Sequence, residues 1–135
     1  MNIVVIDGQG GRLGRMLVEA IIARLPDAQL TAVGTNTIAT TAMIKAGARR
    51  AATGENAVKV ACRDADVIVG SIGMVIADAL YGEITPAMAV AIGQSRATRL
   101  LLPMTSHCEN TVVGMKEGIG IQELVDEAVA RIAAM

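Results

Sequence analysis

The run Ile3-Val4-Val5-Ile6, broken at Asp7 by Gly8-Gln9-Gly10-Gly11-Arg12-Leu13-Gly14, constrains the fold more than any other stretch of the chain. Successive side chains of a strand point to opposite faces, so an unbroken apolar run describes a strand buried on both sides. A sheet with one wet face would alternate apolar and polar residues instead. The glycines allow a sharp turn. Leu13, Met16, Leu17, Ala20, Ile21 and Arg24 then recur at helical spacing until Pro26 stops them. Strand, glycine turn and helix together open a parallel α/β unit.

The alternation continues along the chain. Leu30-Thr31-Ala32-Val33 reads as a second strand, and Asn36 caps a helix through Ala46 with Gly47 just beyond its end. Arg49-Arg50-Ala51-Ala52 is a weaker third strand, and Thr53 is placed to cap a short helix running toward Cys62. Val67-Ile68-Val69 is buried strand again, closed by Gly70-Ser71-Ile72-Gly73. Thr85-Pro86 starts a helix to about Ser95, because Pro fits the first helical position. Leu100-Leu101-Leu102 is a fifth strand, Val112-Val113 a short sixth, and Ile121, Leu124, Val125, Ala128 and Ile132 form one stripe of a final helix. These elements predict one domain over residues 1–135, a three-layer doubly wound parallel sheet of about five strands. Right-handed crossovers favour strand order 3-2-1-4-5, with a flavodoxin-like order as the alternative.

Chemistry concentrates in the glycine loop. A pyrophosphate needs backbone N–H donors at a helix N-terminus, with no Cβ atoms in the way. Gly8 suits the turn, Gly10 or Gly11 the close approach, and Gly14 the packing of helix on strand. Gln9, Arg12 and Leu13 complete the candidate cradle. The spacing Gly8-x-x-Gly11-x-x-Gly14, with Arg12 inside it and Arg15 after it, resembles the phosphate loop of NAD(P)-binding Rossmann domains. It is especially similar to the loop of dihydrodipicolinate reductases and of some short-chain dehydrogenases. That likeness covers the first strand and helix. Over the whole length, Val5 to Gly11, Gly34-Thr35-Asn36, Ala52 to Ala57 and Gly82-Glu83-Ile84-Thr85-Pro86 resemble a small bacterial family of uncharacterised proteins, a domain of unknown function. This second resemblance implies no activity.

The end of the second strand reads by omission. NAD-binding domains usually place an acid there, about 20 residues past the glycines, to hold the ribose 2′-hydroxyl. Gly34-Thr35-Asn36-Thr37 contains none. A carboxylate would repel a 2′-phosphate, whereas hydroxyls and a helix start accept one, so the expected dinucleotide is NADP. Thr35, Asn36 and Thr37 equally suit simple helix capping. Gly70, Ser71, Ile72 and Gly73 fall at the topological switch point and are predicted to lie under the nicotinamide half of such a ligand. Thr53-Gly54-Glu55-Asn56 is a candidate adenine contact or a plain helix cap. Asp7, Asp78 and Glu83 are candidate ligand contacts or solvated, capping carboxylates. The loop Pro103 to Asn110 holds the sole histidine, His107, beside Cys108, but neighbours in sequence seldom point the same way, and no zinc spacing is present. No metal is expected.

Composition narrows the classes. The chain has no Phe or Trp and Tyr81 as its one aromatic residue, so Val, Ile, Leu, Met and Ala must build the core. A net charge of −1 with scattered cations and no aromatic platforms argues against nucleic acid as a partner. The first residues lack a signal peptide's basic start, no apolar run reaches the ~18 residues of a membrane span, and two cysteines make no framework. A cytoplasmic setting with no membrane partner is the expectation. A mean hydropathy of +0.50 suggests a homo-oligomer, with Ile72 to Tyr81 as the buried patch and Tyr81 its anchor. The function expected is binding of NADP(H) or a related nucleotide without a complete catalytic domain. The alternatives are a small NADP-dependent reductase whose site is shared between subunits, and a non-catalytic structural subunit with no ligand.

Overall fold

A computed structural model describes residues 1–104 and 110–135. Its elements run β1 (Asn2–Asp7), α1 (Arg12–Arg24), β2 (Gln29–Gly34), α2 (Thr37–Lys45), β3 (Arg50–Thr53), α3 (Glu55–Arg63), β4 (Val67–Ser71), a 3-10 turn (Ile72–Val75), α4 (Pro86–Gln94), β5 (Thr98–Leu102) and α5 (Ile121–Ala133). The strands form one sheet in the order β3-β2-β1-β4-β5, and all neighbours are parallel. This is the doubly wound α/β architecture expected from the apolar runs. The flavodoxin-like order is not adopted.

The period of two in β1 divides the core. Ile3 and Val5 pack with Leu17, Ile21 and Met43 of α1 and α2 and with Val125 and Ile132 of α5. Val4 and Ile6 pack on the opposite face with Val58 of α3, Met74, and Met88 and Ile92 of α4. β4 repeats the division, with Val67 and Val69 on the first side and Ile68 on the second. Each wholly buried aliphatic side chain contributes about 1.5–3 kcal/mol of transfer free energy, and both faces collect it without aromatic residues.

Several local expectations change in the folded chain. β3 is an edge strand exposed along its whole length, which explains its weak apolar signal. Residues 112–113 form no strand. Gly54, not Thr53, stands at the N-cap of α3, and the Thr53 hydroxyl instead meets that of Thr40 at 2.7 Å. Asn36 and Thr85 do cap their helices, accepting from the N–H groups of Ala39 and Met88. The segment 72–81 is not an apolar patch facing solvent. Gly73, Met74 and Ala79 are buried against the chain's own core, and Val75, Ile76 and Leu80 pack beside them. Tyr81 is exposed, but the apolar neighbours that made it a plausible dimer anchor are already covered. No helix among the described residues is long and apolar enough to cross a membrane.

Candidate functional site

The order β3-β2-β1-β4-β5 makes the chain wind in opposite senses from β1 and β4, leaving a crevice at their carboxyl ends. A cavity of about 280 Å³ lies there, lined by Asp7, the loop from Gly8 to Leu13, and Ser71 at the end of β4. Leu80, Met104 and Ile121 supply an apolar wall.

Asp7 sets the shape of the loop. One carboxylate oxygen accepts the Gly8 N–H at 2.8 Å and the other the Gly14 N–H at 2.6 Å. Gly11 turns at φ +77, and its N–H donates to the Gly8 carbonyl at 3.0 Å. A Cβ on Gly11 would stand 2.8 Å from the Ala39 Cα, and one on Gly14 would stand 2.8 Å from the Asp7 Cβ. These two glycines therefore serve backbone shape and helix packing. Gly10 differs. Its φ is not positive, and a Cβ there would meet nothing within 4 Å. Nothing within the described chain requires glycine at that place.

The loop leaves donors unmet. Gly11 caps α1 without a side-chain bond, and the N–H groups of Gly10, Arg12 and Leu13 have no hydrogen-bond partner among the described residues. Ser71 lines the same cavity, and its hydroxyl also has no partner among those residues. That hydroxyl lines the cavity and is available to a ligand there. Helix N–H groups with the positive end of the helix dipole favour an anion at that point.

The carboxylate missing from the end of β2 arrives from far along the chain. Glu83 Oε1 accepts from the Gln9 N–H at 2.9 Å, the Thr35 hydroxyl at 2.6 Å and Asn36 Nδ2 at 2.7 Å. Its Oε2 accepts from the Gln9 side-chain amide. Burial opposes ionisation of Glu83, but the donors on Thr35, Gln9 and Asn36 outweigh it and hold the carboxyl below its usual range. Asp7 behaves oppositely: burial pushes it up, the Gly14 and Gly8 N–H groups only partly counter that, and Glu83 adds repulsion.

The fold thus brings Gly8, Gln9, Gly10, Gly11, Arg12, Leu13 and Ser71 to one cavity, with Thr35 and Asn36 joined to it through Glu83. Gly14 is packed beneath the loop. Thr37 lies outside, in a shallow depression with Gly10 and Arg15. Gly70, Ile72 and Gly73, expected under the nicotinamide half of a ligand, are not among the residues that line this cavity. A Cβ on Gly70 would come 2.5 Å from the Ile6 carbonyl oxygen, so this glycine serves strand packing. Glu55 accepts from Thr85 at 2.6 Å and pairs with Lys59, leaving it a structural partner of two helices. His107 and Cys108 lie outside the described residues, as does any shared reductase site built on them. A larger concavity of about 720 Å³ runs along β5 and α5, between Arg99, Lys116 and Arg131. We place the candidate site in the smaller one because unmet donors converge there.

Fold and site together define a doubly wound α/β domain with a glycine-lined crevice at its switch point. The family model described as "Domain of unknown function (DUF3842)" matches residues 2–135, and the chain belongs to that family. No curated protein and no solved structure matches it. The likeness of the glycine loop to dihydrodipicolinate reductases remains a resemblance of one short segment.

Proposed function

We propose that this protein binds a nucleotide, with a phosphate held by the Gly10, Arg12 and Leu13 N–H groups and the Ser71 hydroxyl. The observation that carries the reading is a convergence: the Ser71 hydroxyl and the N–H groups of Gly10, Arg12 and Leu13, none of them with a hydrogen-bond partner among the described residues, belong to residues that line one cavity at the switch point. Arg12 lines the same cavity and adds positive charge, while Leu80, Met104 and Ile121 offer an apolar surface to a base or ring. Among the described residues that line the cavity, the one carboxylate is Asp7, whose oxygens already accept two N–H groups. Binding without catalysis by this chain alone is therefore the function proposed. NADP(H), the cofactor expected from the sequence, rested on the lack of an acid at the end of β2, and Glu83 removes that premise.

Thermal melting with NAD(H), NADP(H), ADP and inorganic phosphate tests the reading. A ligand at about 100 times its Kd adds roughly 2.7 kcal/mol. Ser71→Ala should abolish most of that gain without weakening the unliganded fold. Identical melting curves with every ligand would refute it.

A further inference from the structure

We infer that Glu83 selects the ribose of the bound nucleotide: its carboxylate accepts a ribose with both hydroxyls free and rejects one bearing a 2′-phosphate. NAD(H) and 5′-adenine nucleotides then bind in preference to NADP(H). The inference rests on the proposed seating of a nucleotide phosphate at the glycine loop.

Position is the first argument. Thr35 and Asn36 directly follow β2, and Glu83 bonds both, so its charge sits at the end of the strand next to β1. With a phosphate on the N-terminus of α1, an adenosine ribose lies over that strand end. Capacity is the second. A carboxylate offers about four acceptor positions. Oε1 already serves Gln9, Thr35 and Asn36, whereas Oε2 serves only the Gln9 side-chain amide. Oε2 therefore keeps room for a hydroxyl donor. The same Gln9 lines the phosphate cavity, which joins the two subsites through one residue.

Charge is the third argument. Every partner of Glu83 is neutral, and no cation pairs with it among the described residues. Arg15 is held by Glu19 at 3.3 Å, and Arg12 faces the phosphate cavity. A 2′-phosphate brought beside Thr35 would meet an uncompensated negative charge. The loop that delivers Glu83 is itself constrained. Asp78, Leu80 and Tyr81 take positive φ of 66, 57 and 56, a conformation L residues hold only when their surroundings impose it. Backbone bonds from Asp78 to the Ile84 carbonyl (2.7 Å) and from Ile84 to the Ala79 carbonyl (3.1 Å) close the loop, and buried Ala79 and Ile84 pin it to the core. Glu83 is thus presented at a set place.

Fluorescence titration of the full chain with NADH and NADPH tests this, and the absence of Trp leaves the nicotinamide signal clean. NADH should bind the wild type at least about tenfold more tightly, and Glu83→Gln should bring the two within about threefold, mainly by strengthening NADPH. Competition between 5′-AMP and 2′-AMP on the wild type gives the same comparison without a variant, should E83Q fail to fold. Equal wild-type affinity for NADH and NADPH, or a ratio unchanged in folded E83Q, overturns ribose selection and leaves nucleotide binding standing. Failure of every nucleotide to bind the wild type overturns both.

Discussion

Gly10 and Gly11 are adjacent, yet alanine at each should have opposite consequences. At Gly11 the backbone is left-handed with φ +77, which costs an L residue roughly 1–2 kcal/mol. The added Cβ would also stand 2.8 Å from the Ala39 Cα, 2.9 Å from the Ala42 Cβ and 3.0 Å from the Ala39 carbonyl oxygen. None of these is the free end of a flexible side chain, so α2 must shift, and overpacking of this kind adds about 1–3 kcal/mol. Gly11→Ala should therefore lose roughly 2–5 kcal/mol, on the order of 10 °C in Tm for a chain of this length. At Gly10 the new methyl meets nothing within 4 Å and the backbone needs no glycine. Gly10→Ala should melt within about 0.5 kcal/mol of the wild type, or slightly above it because the unfolded chain loses freedom. Gly10 also lines the crevice beside the free N–H groups, so the same methyl should weaken nucleotide binding about tenfold or more. Urea unfolding of both variants, with ligand titration of G10A, checks the pair. A G11A protein as stable as wild type would refute the packing argument, and a G10A protein with unchanged ligand affinity would refute the cradle.

Further outcomes follow from single residues. Ser71→Ala removes a cavity-lining hydroxyl that has no partner among the described residues, so unliganded stability should stay within about 0.5 kcal/mol of the wild type; a clear loss in denaturant would mean the hydroxyl already holds a structural bond. Cys62 has its thiol pushed up to about 11 by burial, so in a Cys108→Ser chain at pH 8 a thiol reagent should react on the native protein at least about a hundredfold more slowly than after unfolding. Asp7 binds its proton more tightly folded than unfolded, so its contribution to stability falls as pH rises through the raised folded value. Glu83, held low, contributes above the ordinary Glu range and loses that contribution as pH drops. The stability gap between wild type and E83Q should therefore narrow on acidification, and a constant gap in urea midpoints would contradict it. An anion in the crevice raises Asp7 further, so calorimetric affinity for NAD+ should increase as pH falls, and Asp7→Asn should flatten that slope. The homo-oligomer expected from the overall hydropathy is checked by light scattering, and a 13.9 kDa particle would end it.

Much of this architecture is written locally. The runs Ile3–Ile6 and Val67–Val69 specify strands buried on both faces, since every side chain must leave water whichever way the pleat points it. The caps at Asn36 and Thr85 depend on groups three residues apart, and chain order plus right-handed crossover restricts the strand order to a few choices. Weak elements are less legible. β3 is exposed and alanine-rich, and its pairing with β2 rather than its own composition makes it a strand. Val112-Val113 has strand composition but acquires no ladder partner, and β propensity without a ladder is not enough.

The glycine loop shows the boundary most clearly. Its spacing alone indicated a turn from strand to helix, because positive φ and close helix packing are demands of the local backbone. Which glycine serves the fold and which leaves space depends on α2, whose Ala39 and Ala42 press on Gly11 and leave Gly10 open. The charge at the end of β2 is likewise a tertiary fact. Residues 34–37 hold no acid, and Glu83 lies 74 positions from Gln9, so no pattern along the chain joins them. Only the closure of the loop after β4 over the end of β1 brings that carboxylate to Thr35 and Asn36. Sequence determines what a residue can do alone or with neighbours a few positions away; a binding site is set by which distant donors and charges the packed core forces together.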